Sequence, residues 1–150
     1  MKKIFVLGVM MFSFAALFAA KSAKEYVADL SSDDKKTVME AVKWSGSNKE
    51  KSAVAPLLNL LQTSSDSEIK VESACALGLI GEKTVVRSLS AIILTENNSD
   101  VRYTIVLAIA RLGIDSKESY NNLLQAKEKE TDPFIKDFIV KMEEKFSKSK

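Results

Sequence analysis

Apolar residues recur at one spacing in two stretches of the chain, residues 69–81 and 101–113. In each stretch they fall at offsets 0, 4 to 5, 7, 8 and 11 from the first residue. At 3.6 residues per turn, offsets 0, 4, 7, 8 and 11 lie within an arc of roughly 100°. Both stretches end in a glycine, Gly81 and Gly113, a residue that readily adopts the left-handed conformation that closes a helix. The pattern predicts two equivalent amphipathic helices.

A second apolar run follows each glycine with the spacing x, x+3, x+4, and so predicts a second helix. These runs are Leu89, Ile92 and Ile93 after Gly81, and Tyr120, Leu123 and Leu124 after Gly113. A helix pair of this length cannot bury its apolar face alone. The repeat length, which is the separation of positions 69 and 101, therefore predicts an all-α solenoid of stacked antiparallel helix pairs with one continuous core.

A weaker copy of the unit occupies residues 34–46, where the alignment predicts that a helix ends at Gly46. Leu57, Leu60 and Leu61 mark its second helix. We expect a capping helix at residues 23–32, a repeat domain of about three helix pairs and a C-terminal capping helix at residues 33–146, and a polar tail at residues 147–150. The apolar face predicted for the C-terminal capping helix comprises Phe134, Phe138, Met142 and Phe146.

The start of the chain, residues 1–20, has the anatomy of a secretory signal peptide. Two lysines precede the uncharged run IFVLGVMMFSFAALFAA (4–20), which ends in small residues. Cleavage after Ser22 gives the small-x-small pattern with Ala20, and cleavage after Ala20 is the other candidate. The domain limit adopted is a signal peptide of residues 1–22, which predicts a periplasmic or secreted protein. The alternative is an uncleaved inner-membrane anchor, because an apolar run of this length reaches the lower limit for spanning a bilayer.

The charge balance argues against a nucleic-acid partner. The formal net charge of +2 includes Lys2 and Lys3, and removing them leaves 20 basic and 20 acidic residues. The basic residues alternate with acidic ones and form no stripe. We expect contact with a membrane only through the N-terminal segment, if it stays attached.

Catalysis is not expected from this composition. The chain has no histidine, the commonest general base and metal ligand, and it contains no glycine-rich phosphate loop. Its single cysteine, Cys75, excludes an intrachain disulfide and is interpreted as a small residue at a helix contact. The predictions are therefore no enzyme, no catalytic residue, no metal site and no cofactor.

The stretches EIKVESACALGLIG (68–81) and DVRYTIVLAIARLG (100–113) resemble the HEAT repeat, especially its short bilin-lyase-like subclass. The resemblance implies an α-solenoid with its first helices on the convex side and its second helices on the concave side. It also implies a role in binding other proteins. Some members assist the attachment of bilin chromophores, which the export signal disfavours. The acids Glu68 and Asp100 and the bases Lys70 and Arg102 are expected to bridge adjacent units.

The predicted binding surface is a strip on the second helices, on the side opposite their core residues. Arg87 and Leu94 are its expected anchors, because arginine and large apolar groups carry interface energy. Trp44 is a separate candidate, which either packs on the N-terminal helix or stays exposed for a partner. The full set of candidate protein-binding residues is Asn59, Gln62, Arg87, Leu94, Asn122, Gln125 and Trp44.

The predicted function is an exported, non-catalytic scaffold that binds another protein or peptide. Two alternatives remain open: a membrane-anchored structural or envelope-assembly component, and an accessory subunit of an enzyme complex.

Overall fold

The computed structural model describes residues 21–114 and 116–147, and these residues form α-helices joined by short turns, with no strand. The all-α prediction is confirmed. Two 3₁₀ turns, Lys51–Ala53 and Lys83–Val85, lead into the third and fifth helices. The helices are α1 (Ala23–Asp29), α2 (Lys35–Ser47), α3 (Val54–Thr63), α4 (Ser67–Ile80), α5 (Val86–Ile92), α6 (Ser99–Leu112), α7 (Lys117–Lys129) and α8 (Pro133–Ser147).

In chain order the helices form three units, α2 with α3, α4 with α5 and α6 with α7, and the second helices α3 and α5 pack against α4 and α6 of the following units. The first helices α2, α4 and α6 pack side by side in chain order, and the second helices α5 and α7 pack against each other. Helix α1 covers α2 at one end, and α8 packs across α6 and α7 at the other. The arrangement is an α-solenoid. The proposed leader at residues 1–20 and the last three residues of the tail lie outside the described residues.

Side-chain caps begin the first helices at intervals of one repeat length, at Asp34, Asp66 and Asn98. The Oδ2 atom of Asp34 accepts a hydrogen bond from the backbone N–H of Thr37 at 2.8 Å. Asp66 and Asn98 accept equivalent bonds from the backbones of Ile69 and Val101, at 3.3 and 3.1 Å. Each cap satisfies a backbone N–H that has no partner within the helix. The period seen in the apolar pattern is therefore repeated in the helix caps.

The first unit corrects the predicted alignment. Gly46 does not end α2 but lies buried within it. The residue equivalent to Gly81 and Gly113 is Lys49, which has φ +53, whereas the two glycines have φ +86 and +85. The alignment was wrong by three residues because Gly46 was matched to the C-terminal glycines, although a lysine occupies their position in this unit.

Gly46 and Gly78 instead mark the points where consecutive first helices come closest. A Cβ atom built on Gly46 would lie 3.0 Å from the Cα atom of Ala76, and one on Gly78 would lie 3.2 Å from the Cα atom of Ala108. The two contacts are repeat-related, since both residues of the second pair follow those of the first by one repeat length. Close approach of the helix backbones is the reason that small residues are needed here.

One core runs through all the units. Its largest fully buried side chains come from both helices of the pairs and from α8, and they include Val42, Leu57, Leu61, Leu77, Leu89, Ile105, Ile109, Ile135 and Ile139. Within the described ranges, no helix is long and apolar enough to cross a membrane.

The buried face of α8 differs from the predicted one. Ile135 and Ile139 are 2% and 1% exposed, whereas Phe134 is 65% exposed. Phe138 and Met142 are only partly buried against the core. The isoleucines take the central positions because α8 lies across both α6 and α7, so that the row of aromatic residues falls at the edge of the contact.

Candidate functional site

Two clefts open between consecutive units, where the second helix of one unit ends and the first helix of the next begins. The first cleft has a volume of about 280 Å³ and the second a volume of about 170 Å³. The first is lined by Leu61, Gln62, Lys70, Ala91, Ile92, Thr95 and Glu96. The second is lined by Ile93, Leu94, Glu96, Asn97, Arg102, Ala126, Lys129, Glu130 and Thr131.

The two clefts are copies of each other. Three pairs of lining residues are separated by one repeat length, namely Leu61 and Ile93, Gln62 and Leu94, and Lys70 and Arg102. The opposite wall of each cleft comes from α5 or α7. There, corresponding residues such as Ile92 and Ala126 are separated by slightly more than one repeat length, because the third unit is two residues longer. A surface that repeats with the units can contact an elongated partner at successive points.

Each cleft contains an ion pair between a first helix and the turn that follows the second helix of the same unit. In the first, the Nζ atom of Lys70 donates to the Oε2 atom of Glu96 at 2.8 Å. In the second, the Nε and Nη2 atoms of Arg102 each donate to one carboxylate oxygen of Glu130 at 2.8 Å. The third nitrogen of Arg102 donates to the backbone carbonyl of Asn97 at 2.8 Å. Each base therefore meets a carboxylate within its own cleft.

The pKa values of both carboxyl groups reflect these contacts. The hydrogen bond from Arg102 lowers the pKa of Glu130, and backbone N–H groups of Thr131 and Asp132 act in the same direction. Burial raises the pKa of Glu96, but the hydrogen bond from Lys70 and a backbone N–H lower it, with a net decrease. Both groups stay ionised at neutral pH, so neither cleft presents an unpaired charge from these pairs.

The predicted charge bridge between adjacent units is formed by Glu68, whereas Lys70 and Arg102 pair with acids in the turn that ends their own unit. Lys70 and Arg102 bind Glu96 and Glu130, which lie in the turns before the next first helices. Glu68 instead contacts Lys35 of the preceding unit at 2.6 Å. Sequence reasoning missed Glu96 and Glu130, because their separations from the two bases differ and follow no helical spacing.

Two of the predicted binding residues line the clefts. Gln62 is exposed in the first cleft and Leu94 is half-buried in the second. Asn59 and Gln125 are exposed on α3 and α7 and line neither cleft.

The remaining predicted residues on the second helices bind neighbouring helices. The Nη2 atom of Arg87 lies 2.7 Å from the Oε2 atom of Glu118, and both side chains are largely exposed. Asn122 is half-buried, and its amide donates to the Oγ atom of Ser90 at 3.1 Å. The predicted strip is therefore divided among cleft walls, links from α5 to α7, and the exposed Asn59 and Gln125, which belong to neither.

Trp44 packs on the N-terminal helix, the first of its two predicted alternatives. Its ring stacks on Tyr26 with a centroid distance of 4.3 Å and an interplanar angle of 8°. The ammonium group of Lys21 lies 5.0 Å from the Tyr26 ring centroid and forms an ion pair with Asp29. Trp44 therefore stabilises the attachment of α1.

Cys75 corrects a minor prediction, since it is exposed and not enclosed at a helix contact. Partial burial and the nearby Glu72 raise the pKa of its thiol, which disfavours the reactive thiolate. The part of the chain that the structure describes contains no group of three or more histidine, cysteine, aspartate or glutamate residues placed to hold a metal ion.

Comparison with known families agrees with the geometry. A sequence model of HEAT repeats matches residues 23–110, which is more than half of the chain. The chain belongs to the HEAT-repeat family. No curated protein matches the sequence. HEAT repeats generally mediate contacts between proteins, and the first cleft lies wholly within the matched region.

Proposed function

We propose that this HEAT-repeat chain is an exported, non-catalytic scaffold that holds another protein through the two inter-unit clefts. The observation that carries the proposal is the repetition of the clefts with the units. A partner segment that crosses α3, α5 and α7 meets the same arrangement twice. Family membership supports protein binding, and the sequence of residues 1–20 supports export.

Apart from the exposed Lys129 at the second cleft, the chemistry of the clefts favours an uncharged polar or small apolar segment of the partner. In both clefts the basic and acidic side chains of the ion pairs bind each other, so a charged partner gains little from them. Exposed polar groups remain available at the openings, including the amides of Gln62 and Asn97 and the hydroxyl groups of Thr95 and Thr131. Such groups give orientation, while the apolar walls give contact area.

The test is crosslinking followed by affinity capture from the cell envelope, with wild type and with variants that block the clefts. Ala91→Arg and Thr131→Arg place a long side chain at exposed positions in the first and second cleft. We expect both to reduce capture of the partner at least tenfold with unchanged helical content. Ala55→Arg is the matched control, because Ala55 is exposed on α3 and lines neither cleft.

Persistence of the same partner with both blocked clefts would refute this assignment of the surface. Failure to capture any partner with wild type would count against the scaffold function itself. Fractionation of the same cells tests export separately. Recovery in the soluble periplasmic or secreted fraction agrees with a cleaved leader, and recovery with the membrane supports the anchored alternative.

A further inference from the structure

An apolar groove lies on a different surface, between the C-terminal half of α6 and helix α8. Its volume is about 450 Å³. Large side chains of α8 form one wall, and the end of α6 with the turn after it forms the other. The apolar lining includes Ile109, Ala110, Ile114, Phe138, Met142 and Phe146.

The groove exists because the tight packing of first helices stops at the third unit. Gly46 and Gly78 each receive the next first helix at close range. Ala110 follows Gly78 by one repeat length and occupies the same position, yet it is exposed. Helix α8 leaves this part of α6 open. The next first helix packs against this position in the two earlier units, whereas no helix packs against Ala110 among the described residues.

Helix α8 contacts α6 at its other end through aromatic rings. The ring of Tyr103 lies 5.5 Å from that of Phe134 and 6.2 Å from that of Phe138, between centroids. Leu107 and Ala110 follow Tyr103 at i+4 and i+7, on the same face of α6. That face of α6 is therefore covered by α8 at Tyr103 and exposed to solvent at Leu107 and Ala110.

The described residues of α6 and α8 also expose two large apolar side chains near the groove, although neither lines it. Leu107 and Phe134, the large hydrophobic side chains exposed in this part of the chain, are 38% and 65% accessible to solvent. Leu107 lies one turn before Ala110 on the open face of α6, which continues into the apolar lining of the groove, whereas Phe134 lies at the opposite end of α8 beside Tyr103. A contiguous apolar surface of this kind is typical of a binding site for another macromolecule.

The charge at the groove has one sign. Lys141 and Lys145 contribute to its lining, and no carboxylate does. Lys141 lies 2.6 Å from Asp137, whereas Lys145 forms no ion pair within the described residues. The groove therefore combines an apolar floor with a cationic edge.

We propose that this groove binds an amphipathic helix of a partner protein, with its apolar side chains in the groove and its flanking carboxylates beside Lys141 and Lys145. A helix is the expected occupant because the same face of α2 and α4 receives one. Apolar anchors at i, i+4 and i+7 are the usual way in which a helix enters such a groove. The interaction is independent of the clefts described above.

The test measures fluorescence anisotropy of two labelled synthetic helical peptides with the purified chain. Both carry leucines at i, i+4 and i+7, and one carries glutamates on its flanks where the other carries lysines. We expect the acidic peptide to bind at least tenfold more tightly, with a preference that decreases as salt increases. Lys145→Glu should weaken the acidic peptide at least fivefold, and Ala110→Phe should weaken both peptides by filling the groove.

Lys24→Glu on α1 is the matched charge control, and circular dichroism checks helical content. If Ala110→Phe has less helical content than wild type, the test rests on the effect of Lys145→Glu on peptide binding, because Lys145 is exposed. The proposal is overturned if the two peptides bind equally, if neither binds, or if Lys145→Glu has no effect. It is also overturned if sedimentation shows a dimer that Ala110→Asp abolishes, because a second copy of the chain then occupies the groove.

Discussion

At the scale of single residues, Gly46 decides how closely the first two units approach. A methyl group there meets the backbone of Ala76 at 3.0 Å, shorter than an ordinary contact. Alanine gains about 1 kcal/mol of helix propensity over glycine, but forced packing costs about 1–3 kcal/mol. We expect Gly46→Ala to lower the free energy of unfolding, measured with urea. Ser47→Ala, at the exposed neighbour, should not lower it, and a stabilised Gly46→Ala protein would contradict the packing argument.

Glu130 provides a pH-dependent contribution to stability. Its side chain is 2% exposed and holds Arg102 by two hydrogen bonds. Because its pKa is lowered in the folded chain, the contribution is complete above the unfolded value of about 4.3. It is lost as the pH falls through the folded pKa.

We therefore expect Glu130→Gln to lose about 2 kcal/mol at pH 7, since Arg102 keeps its charge without a carboxylate. The difference from wild type should decrease as the pH falls below about 4. Thermal unfolding at several pH values measures both effects. Glu144→Gln, an exposed carboxylate on α8, is the control. A difference that is constant with pH would show that Glu130 stabilises by packing and not by charge.

At the scale of elements, α1 depends on residues that the preferred cleavage site would remove. Ser22 caps α1 in a reciprocal pair with Glu25, whose Oε2 atom accepts from the Ser22 N–H at 2.7 Å. Lys21 binds Asp29 and faces the ring of Tyr26. Cleavage after Ala20 keeps these contacts, whereas cleavage after Ser22 removes them.

A chain that begins at Ala23 should be less stable than one that begins at Lys21 by about 1–2 kcal/mol, the usual contribution of an N-cap. The fluorescence of Trp44, the single tryptophan, should move to longer wavelength as its stack on Tyr26 loosens. Thermal unfolding and emission spectra measure the two effects. Ser22→Ala in the longer chain separates the cap from the lysine contacts. Identical stability of the two chains would mean that α1 is held by its ring stack alone.

The ends of the first helices show where the sequence pattern predicts a helix boundary correctly and where it does not. Gly81 and Gly113 end their helices as predicted and both have positive φ, although only Gly81 adopts the left-handed helical conformation, with ψ 12 against ψ 151 at Gly113. Lys49 also has positive φ without being a glycine, so the alignment shifted to the nearest glycine, Gly46.

Helix α8 shows a second limit of apolar spacing. Apolar residues at positions 134, 135, 138, 139 and 142 form two overlapping arcs. Spacing alone cannot choose between the aromatic arc and the isoleucine arc. The choice depends on the angle at which α8 crosses α6 and α7, which only the structure gives.

The candidate site was predicted even less completely than the elements. Gln62 and Leu94 were found because the outward side of a helix follows from its core positions. The clefts themselves were not predicted, since one wall of each cleft comes from the following unit and from turns without regular spacing. The repeat length seen in the sequence could have indicated paired clefts once the helix order was known.

At the scale of the whole molecule, ion pairs cross each junction between units. Lys51 reaches Glu82 at 2.6 Å between the first and second units. Arg87 reaches Glu118 between the second and third, and Lys127 reaches Glu143 of α8 at 2.8 Å. Most are exposed, so solvent screens them and each contributes little to stability. They orient neighbouring units, while the continuous apolar core supplies the stability.

A stack that joins only neighbours should open from its ends. Helix α4 has packed helices on both sides and seven buried residues, whereas α8 has two and α1 has none. We expect the slowest amides of α4 and α6 to exchange hydrogen only by global unfolding. Those of α1 and α8 should exchange at a lower free energy, measured by native-state hydrogen exchange.

Ile139→Ala tests this gradient, because it removes a side chain that is 1% exposed in the end helix. It should lower the free energy of exchange in α8 by about 2–4 kcal/mol and leave α2 unchanged, since the helices that pack against α2 are α1 and α4. The matched variant Ile109→Ala, in the middle of the stack, should lower exchange free energies in all units. Equal effects of the two substitutions on α2 would mean that the chain unfolds as one indivisible unit, and that the end helix is as firmly held as the centre.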